Sequence, residues 1–183
     1  MKYIIFIISF LLSLQGCSWI FPKTHPIPAS PAFALDNVQM VNAKLLQAGG
    51  TIEVVPFTAG VSVEANQDME RLVLSMIQGL TETINDIEQE NSLKVVFGEE
   101  AREADFLITG HVINFDRPSR LKKLTPLRKI VRVKIEGRMM SQRTGETIFL
   151  FTHHKEMPAK QFDPRSVGKI LGNDLGRYLL SVL

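Results

Sequence analysis

The sequence predicts an α+β fold, a two-layer sandwich in which two amphipathic helices pack on one face of a mixed sheet of about five strands. Two long segments repeat apolar residues every three or four positions, which is the spacing of an amphipathic helix. Several short β-branched segments lie between glycines and prolines, as strands do. The order along the chain (strand, long helix, four strands, helix) leaves both helices available to cover the same sheet.

The first strand and the first helix are predicted next to each other. Residues 51–57 read TIEVVPF, a β-branched and apolar segment that ends at a proline, and predict a buried strand. Asn66 is a suitable N-cap for the helix that follows. Eight apolar residues then share one helical face, which we interpret as core-facing: Met69, Leu72, Val73, Met76, Ile77, Leu80, Ile84 and Ile87.

Two further strands lie in the middle of the chain. Residues 93–97 predict a short strand that Gly98 ends, and residues 99–103 predict a helical turn. Because a helix joins the first two strands, they are expected to be parallel if they share a sheet. Residues 105–116 predict a third strand with apolar residues on both faces, which is typical of a central position.

A charged hairpin follows a proline-containing break. Residues 128–141 alternate strictly, so that Val131, Val133, Ile135 and Met139 face inwards while Arg132, Lys134, Glu136 and Arg138 face outwards. Residues 143–146 predict a turn with Gly145 in the left-handed region, and residues 147–155 the returning strand. The last three strands therefore predict an antiparallel meander whose outward face is solvated or bound to a partner.

The last helix carries an unusual row of glycines. Asp163 and Pro164 predict its start, as N-cap and first-turn proline. Gly168, Gly172 and Gly176 then recur every four residues, and three glycines cost a helix about 3 kcal/mol relative to alanine, at roughly 1 kcal/mol each. Two explanations stay open: close approach of this helix to a strand or to the first helix, or a contact between subunits.

The residues that precede the first predicted strand are less regular. Residues 36–49 are ambiguous, since Asp36 is suited to cap a short helix and two glycines end the segment. Residues 17–35 contain four prolines and predict an extended tether rather than a helix or a central strand. Trp19, Ile20 and Phe21 are suited to the membrane interface, where aromatic rings are favoured.

The first 17 residues are typical of a secretory signal peptide. Lys2 precedes an apolar run over residues 4–14, and small residues close it. This run is shorter than the roughly 20 apolar residues that span a bilayer. Residues 14–17, Leu-Gln-Gly-Cys, resemble the lipobox of bacterial lipoproteins. The resemblance implies cleavage before Cys17 and lipidation of Cys17, and Ser18 after it implies sorting to the outer membrane.

The predicted organisation is a lipoprotein signal peptide over residues 1–16, a lipidated Cys17 and proline-rich tether over residues 17–35, and one periplasmic α+β domain over residues 36–183. The alternative is an ordinary signal peptide that happens to end in cysteine. We disfavour it because Cys17 is the only cysteine, and an odd cysteine in a secreted protein needs an explanation. Acylation of Cys17 would leave no thiol for disulfides, metal ligation or catalysis.

Composition and motifs do not indicate an enzyme or a cofactor. The formal net charge of +2 falls to about +1 when Lys2 leaves with the signal, which gives no basis for nucleic-acid binding. No serine lies in a nucleophile elbow, and the glycines match no phosphate-binding pattern. Asp174 lies within the apolar arc of the last helix and is either a buried acid or a paired residue at the edge of the arc.

Histidines and acidic residues give weak candidates. His153 and His154 are adjacent on a strand and so point to opposite faces, which prevents joint chelation, and His111 lacks a convincing third ligand. No metal site is therefore predicted. The acidic residues Glu99, Glu100, Glu103 and Asp105 are interpreted as a solvated turn.

A basic run is the more informative charged feature. Six basic residues occur within thirteen positions without an acidic one: Arg117, Arg120, Lys122, Lys123, Arg128 and Lys129. Such a loop is suited to anionic lipid headgroups, at about 1 kcal/mol per basic residue near the surface. Contact with an acidic face of a partner and a simply solvated loop are the alternatives.

Several short motifs occur together as they do in a known superfamily. They are Val54-Val55-Pro56-Phe57 with the helix after it, Ala104-Asp105 opening a strand that reaches Gly110, and Thr144-Gly145-Glu146 in the hairpin. Over residues 51–183 the chain resembles the soluble domain of the curli-secretion lipoprotein superfamily and the related amino-terminal domain of TolB. The resemblance implies a periplasmic part of a secretion, flagellar or envelope-assembly machine, often as an oligomer.

These observations predict a non-enzymatic outer-membrane lipoprotein that binds other envelope proteins. The lipid on Cys17 is expected to hold the protein at the membrane, and a homo-oligomer is among the expected assemblies. No pore is predicted, because the outer side of the hairpin carries charges where a barrel strand needs an apolar lipid face. The alternative is a carrier of lipid or glycolipid, which requires an apolar groove between helices and sheet where the sequence predicts a filled core.

Overall fold

A computed structural model describes residues 35–86, 93–116 and 130–183. The predictions for the signal peptide, Cys17, residues 17–34 of the tether, Ile87 and the basic run lie outside the described residues. Leu35, the last residue of the predicted tether, is buried in the core. The strands are β1 (Asn37–Met40), β2 (Gly50–Val54), β3 (Thr58–Ala59), β4 (Leu93–Val96), β5 (Phe106–Phe115), β6 (Ile130–Ser141) and β7 (Thr147–Pro158). The helices are α1 (Gln67–Asn85) and α2 (Pro164–Ser181), with 3-10 helices at Ala43–Leu45 and Glu100–Glu103.

One mixed sheet organises these elements. Its strand order is β1-β7-β6-β5-β2-β4, with β3 alongside β5. The predicted α+β class is confirmed, although the sheet has seven strands where about five were expected. As predicted, β2 and β4 are parallel across the helical crossover, and β5, β6 and β7 form an antiparallel meander.

The two additional strands come from segments with little pattern of their own. A short helix that Asp36 caps was considered for residues 36–49. This was wrong for the first residues of the segment, which form β1 and pair antiparallel with β7. The Asp36 carboxylate accepts the backbone N–H of His154 at 2.6 Å and so does not cap a helix. Likewise, β3 lies between the strand predicted over residues 51–57 and the predicted N-cap Asn66, where no strand was predicted, and both of its residues pair with β5. In both cases long-range pairing outweighed a weak local preference.

The helix starts are as predicted. The Asn66 side-chain oxygen accepts the backbone N–H groups of Asp68 at 3.0 Å and Met69 at 3.1 Å. At the start of α2, the Asp163 carboxylate accepts the N–H of Ser166 at 3.0 Å and its hydroxyl at 2.7 Å, and a proline occupies the first turn. These caps satisfy N–H groups that have no partner within a helix.

The two helices run parallel and almost backbone to backbone. Gly168, Gly172 and Gly176 of α2 meet successive turns of α1, and a Cβ at any of them would collide with α1 atoms. Gly79 does the same from the α1 side, where a Cβ would overlap the Lys169 carbonyl. With its amide nitrogen turned towards these acceptors, Asn173 donates to the Gly79 carbonyl at 2.9 Å. The glycines therefore bring the two helices close enough for backbone contact.

The apolar core fills the space between helices and sheet. The inward residues of β6 are buried as the alternation predicts, and the buried arcs of both helices pack into the same cluster. Gly110 and Gly137 lie opposite each other on β5 and β6, and the rings of Phe57 and Phe151 occupy the space that their missing side chains leave. These rings have centroids 6.3 Å apart. Such packing gives no support to the carrier alternative, which needs an apolar groove between the helices and the sheet.

One edge of the sheet is covered by a side chain. On the edge strand β4, the Val95 N–H donates to Asn85 Oδ1 at 2.8 Å, and the Val95 carbonyl accepts from Asn85 Nδ2 at 3.2 Å. An unpaired edge is a template for association with another strand. The Asn85 amide therefore satisfies both backbone groups that a foreign strand would need at this position.

Replacing Asn85 by alanine is expected to destabilise the domain by about 1–2 kcal/mol, because two hydrogen bonds are lost at a part-buried edge. The exposed edge should also raise the rate of aggregation. Urea unfolding and light scattering measure the two effects. The control is Gln78→Ala, an exposed position on the same helix. An Asn85→Ala protein with unchanged stability and unchanged scattering would contradict this role.

Candidate functional site

The side of the meander that carries no helix is a polar, concave surface, which we call the open face. Register places two rows of side chains straight across it. The first row joins Asn37, Thr152, Glu136, His111 and Thr58 from β1 to β3. The second row contains Gln39, Leu150, Arg138 and Thr109. Paired residues of a sheet share a face, so these rows form one continuous surface.

The open face contains a hollow of about 550 Å³ that is open to solvent. Its lining comes from β1, β7, β6 and β5: Asn37, Gln39, His111, Glu136, Gly137, Arg138, Leu150, Phe151 and Thr152. Amide, carboxylate and guanidinium groups surround Leu150, whose side chain is 40% exposed. A polar rim around an exposed apolar residue is typical of a surface that contacts another molecule.

Most charged side chains of the open face form no ion pair with another described residue. Arg132 forms an ion pair with Glu156 on the neighbouring strand. Lys134, Glu136 and Arg138 have no ion-pair partner within the described part of the chain. They belong to the outward row of β6 that the sequence predicted as solvated or bound to a partner.

The chain reaches this surface at its rim. Leu35, the first described residue, is buried, and Asp36 leads directly into β1 at the sheet edge. Two outward residues of β1 then line the hollow. The predicted tether over residues 17–35 therefore joins the domain beside the open face.

A buried histidine connects this junction to the helical layer. His153 is 2% exposed, and its Nε2 lies 3.0 Å from Asp174 Oδ2 on α2. Its Nδ1 lies 3.3 Å from Asp36 Oδ2 without the alignment of a hydrogen bond, and it lacks any other partner among the described residues. A neutral imidazole has one N–H and can donate to one carboxylate, whereas an imidazolium can donate to both. His154, on the opposite face of β7, also contacts Asp36 through Nδ1.

Asp174 is the charged centre of this cluster. Besides His153, it meets the Lys155 ammonium, with Nζ 2.7 Å from Oδ2. Burial raises the pKa of the Asp174 carboxyl, but the hydrogen bonds from His153 and Lys155 outweigh burial and leave the pKa below its ordinary value. We therefore describe Asp174 as a paired, partly buried carboxylate that joins β7 to α2.

The structure separates most of the residues that the sequence singled out. His153 and His154 point to opposite faces of β7, while His111 bonds Thr58 Oγ1 at 2.7 Å on the open face. Within the described ranges, no group of three or more histidine, cysteine or acidic side chains is arranged to hold a metal ion. Among the acidic candidates, Asp105 accepts the Thr51 N–H at 2.9 Å and thus ties the starts of β2 and β5 together.

Two features escaped the sequence analysis. The hollow depends on the register of four strands, and β1 was not expected to be one of them. The contact of Asp36 with His154 spans 118 positions, so no local pattern points to it. Gly79 did leave a signal, since a small residue falls within the buried arc of α1.

Comparison with known proteins finds solved structures of similar fold but does not identify a family for this chain. No protein-family model matches the chain. No curated protein matches it by sequence. Solved structures do match. A PelC dodecamer from Paraburkholderia phytofirmans has a TM-score of 0.50 at 11% identity, with 78% of this chain and 96% of that chain covered. A second PelC dodecamer structure, of a variant, gives a TM-score of 0.52 at 10% identity, with the same coverage.

Lipoprotein GNA1162 from Neisseria meningitidis is also similar, with a TM-score of 0.44 at 10% identity over 70% of this chain and 96% of that chain. At such identities the similarity to PelC shows a shared fold and nothing finer. The resemblance to the curli-secretion lipoprotein and TolB superfamily stays a prediction, since no family model supports it. None of the helices in the described residues combines the length and apolarity needed to cross a membrane.

Proposed function

We propose that this protein is an outer-membrane-anchored lipoprotein whose periplasmic domain is a non-enzymatic assembly subunit of an envelope complex. The domain would bind other envelope proteins and copies of itself. The observation that carries the proposal is the open face: a concave surface with uncommitted charges, beside the point where the predicted tether joins the domain. A lipid on Cys17 would hold this surface near the membrane, and two or more acyl chains anchor stably.

Three further observations concern assembly and its mode. The hollow is lined mainly by polar and charged side chains, which are suited to bind a partner through hydrogen bonds and charge, and the carboxylate of Asp174 is engaged by His153 and Lys155. The covered edge at β4 disfavours assembly by addition of strands there. The fold is shared with PelC, which was solved as a dodecamer. We therefore expect contact through faces of the sandwich and a closed ring of copies.

Anchoring is tested by Cys17→Ser in the full chain. Because the thiol carries the lipid in this proposal, the variant should lose the acyl modification and move from the membrane fraction to the soluble fraction. Mass spectrometry of the amino-terminal peptide and fractionation of cells measure the two effects. The control is Ser30→Ala in the predicted tether, which keeps Cys17 and Ser18. A wild-type protein without lipid, or a Cys17→Ser protein that keeps its place, would refute the anchor.

A further inference from the structure

The outward side of α1 carries an exposed apolar residue next to an acidic one. Leu74 is 65% exposed, and Glu70 lies one turn before it on the same side of the helix. Residues four apart on a helix are neighbours, about 5–6 Å between Cβ atoms. The opposite side of α1 is buried against the sheet and α2. Glu70 and Leu74 therefore project away from the sheet, on the far side of the sandwich from the open face.

The open face carries a matching pair with the opposite charge. Arg138 on β6 and Leu150 on β7 are directly paired across the two strands, within the hollow. Directly opposed residues have Cβ atoms about 4.5–5.5 Å apart. Each side of the sandwich thus presents one large apolar side chain beside one charged side chain, at nearly the same spacing.

The charges that form no ion pair are complementary on the two sides as well. The outward row of β6 contains three basic residues and one acidic residue: Arg132, Lys134, Arg138 and Glu136. In contrast, α1 contains three acidic residues, of which Asp68 pairs with Arg71 and Glu82 pairs with Lys169 of α2. Among the described residues, Glu70 is therefore the acidic side chain of α1 without an ion-pair partner. Complementary potentials set the register of an interface and exclude mismatched arrangements.

We propose that Glu70 and Leu74 of one copy dock in the open-face hollow of the next copy, against Arg138 and Leu150. This inference rests on the proposed homo-oligomer and names its interface. The two patches lie on opposite layers, so the contact is heterologous, and each copy both offers and receives a patch. A heterologous contact gives a ring when the rotation from one copy to the next closes, and a ring of twelve copies needs a rotation of about 30°.

Charge reversal tests the interface in the full chain, purified in detergent. We expect Glu70→Arg and Arg138→Glu each to raise the midpoint concentration for assembly at least about tenfold, since like charges then face each other. The combination of both reversals should restore assembly, because the pair is then attractive again. Leu74→Ser should weaken assembly in the same direction. Native mass spectrometry and multi-angle light scattering measure the oligomer.

Matched controls are Arg143→Glu, an exposed charge in the β6–β7 turn, and Val61→Ser, an exposed apolar residue in a loop. Both should assemble as the wild type does. Thermal unfolding verifies that every variant is folded. A wild-type oligomer that survives both single reversals, or that the double reversal does not restore, overturns this interface alone. A wild-type protein that stays monomeric overturns the proposed homo-oligomer and the interface together.

Discussion

Replacing Gly172 by leucine is expected to prevent the domain from folding. A Cβ at this position would overlap the carbonyl oxygen of Met76 and lie 2.8 Å from the backbone nitrogen of Leu80. Both are backbone atoms of α1, so no side-chain rotation relieves the collision. The two helices would have to separate along their whole contact, and the core beneath them would then lose its packing. Far-UV circular dichroism and urea unfolding measure the loss.

The smaller change Gly172→Ala separates two opposed effects. Alanine favours the helix by about 1 kcal/mol, while overpacking costs about 1–3 kcal/mol or more. Because the collision involves backbone atoms, we expect the steric cost to dominate and the net loss to be about 2 kcal/mol. The control is Arg177→Ala on the exposed side of the same helix, which should change stability little. A folded Gly172→Leu monomer that fails only to assemble would support the subunit-contact explanation instead.

Asp174→Asn is expected to lower the free energy of unfolding by about 2 kcal/mol at neutral pH, since charge-assisted hydrogen bonds from His153 and Lys155 weaken together. The side chain is 22% exposed, so solvent screens these interactions only in part. Urea unfolding at pH 7 gives this difference directly.

The same variant should also change the acid dependence of stability. In the folded protein the pKa of Asp174 is below its ordinary value of 3.8. A lowered folded-state pKa contributes stability that is fully present above the unfolded pKa and is lost as the pH falls through the folded one. The difference in free energy of unfolding between the wild type and Asp174→Asn should therefore become smaller below about pH 4.

The surface pair of Glu82 and Lys169 provides the control for the acid dependence of stability. The hydrogen bond from Lys169, followed by that from Gln78, lowers the pKa of Glu82 as well, but the Glu82 side chain is 41% exposed and is therefore screened by solvent more than Asp174. Glu82→Gln should therefore leave the acid dependence close to that of the wild type. If the difference in free energy of unfolding between the wild type and Asp174→Asn stayed the same from pH 7 to pH 3, the charge of the cluster would not contribute to stability.

Sequence patterns predicted the parts of the fold that depend on neighbouring residues. The periodicity of α1, the caps at Asn66 and Asp163, and the alternation of β6 each involve residues within a few positions of one another. Gly145 has a φ of 72° in the hairpin turn, as its position predicted. The parallel pairing of β2 and β4 followed from the helical connection between them.

The candidate site was only partly predictable. The outward charges of β6 were identified, since alternation alone determines which side chains share a face. Their neighbours Asn37 and Gln39 were not, because β1 exists only through its pairing with β7. The glycine row indicated a close contact but left its partner open between a strand, the first helix and another subunit.

By itself, the amino-acid sequence determined that this chain is an α+β sandwich with two amphipathic helices and a charged meander, because helix and strand periods are local properties. It also contains the lipobox-like residues 14–17 on which the proposed anchor depends. Only the tertiary structure decided that the glycines of α2 meet α1, that His153 lies between Asp36 and Asp174, and that four strands form one hollow. These contacts join residues far apart in the chain, and their energies arise only when the layers pack.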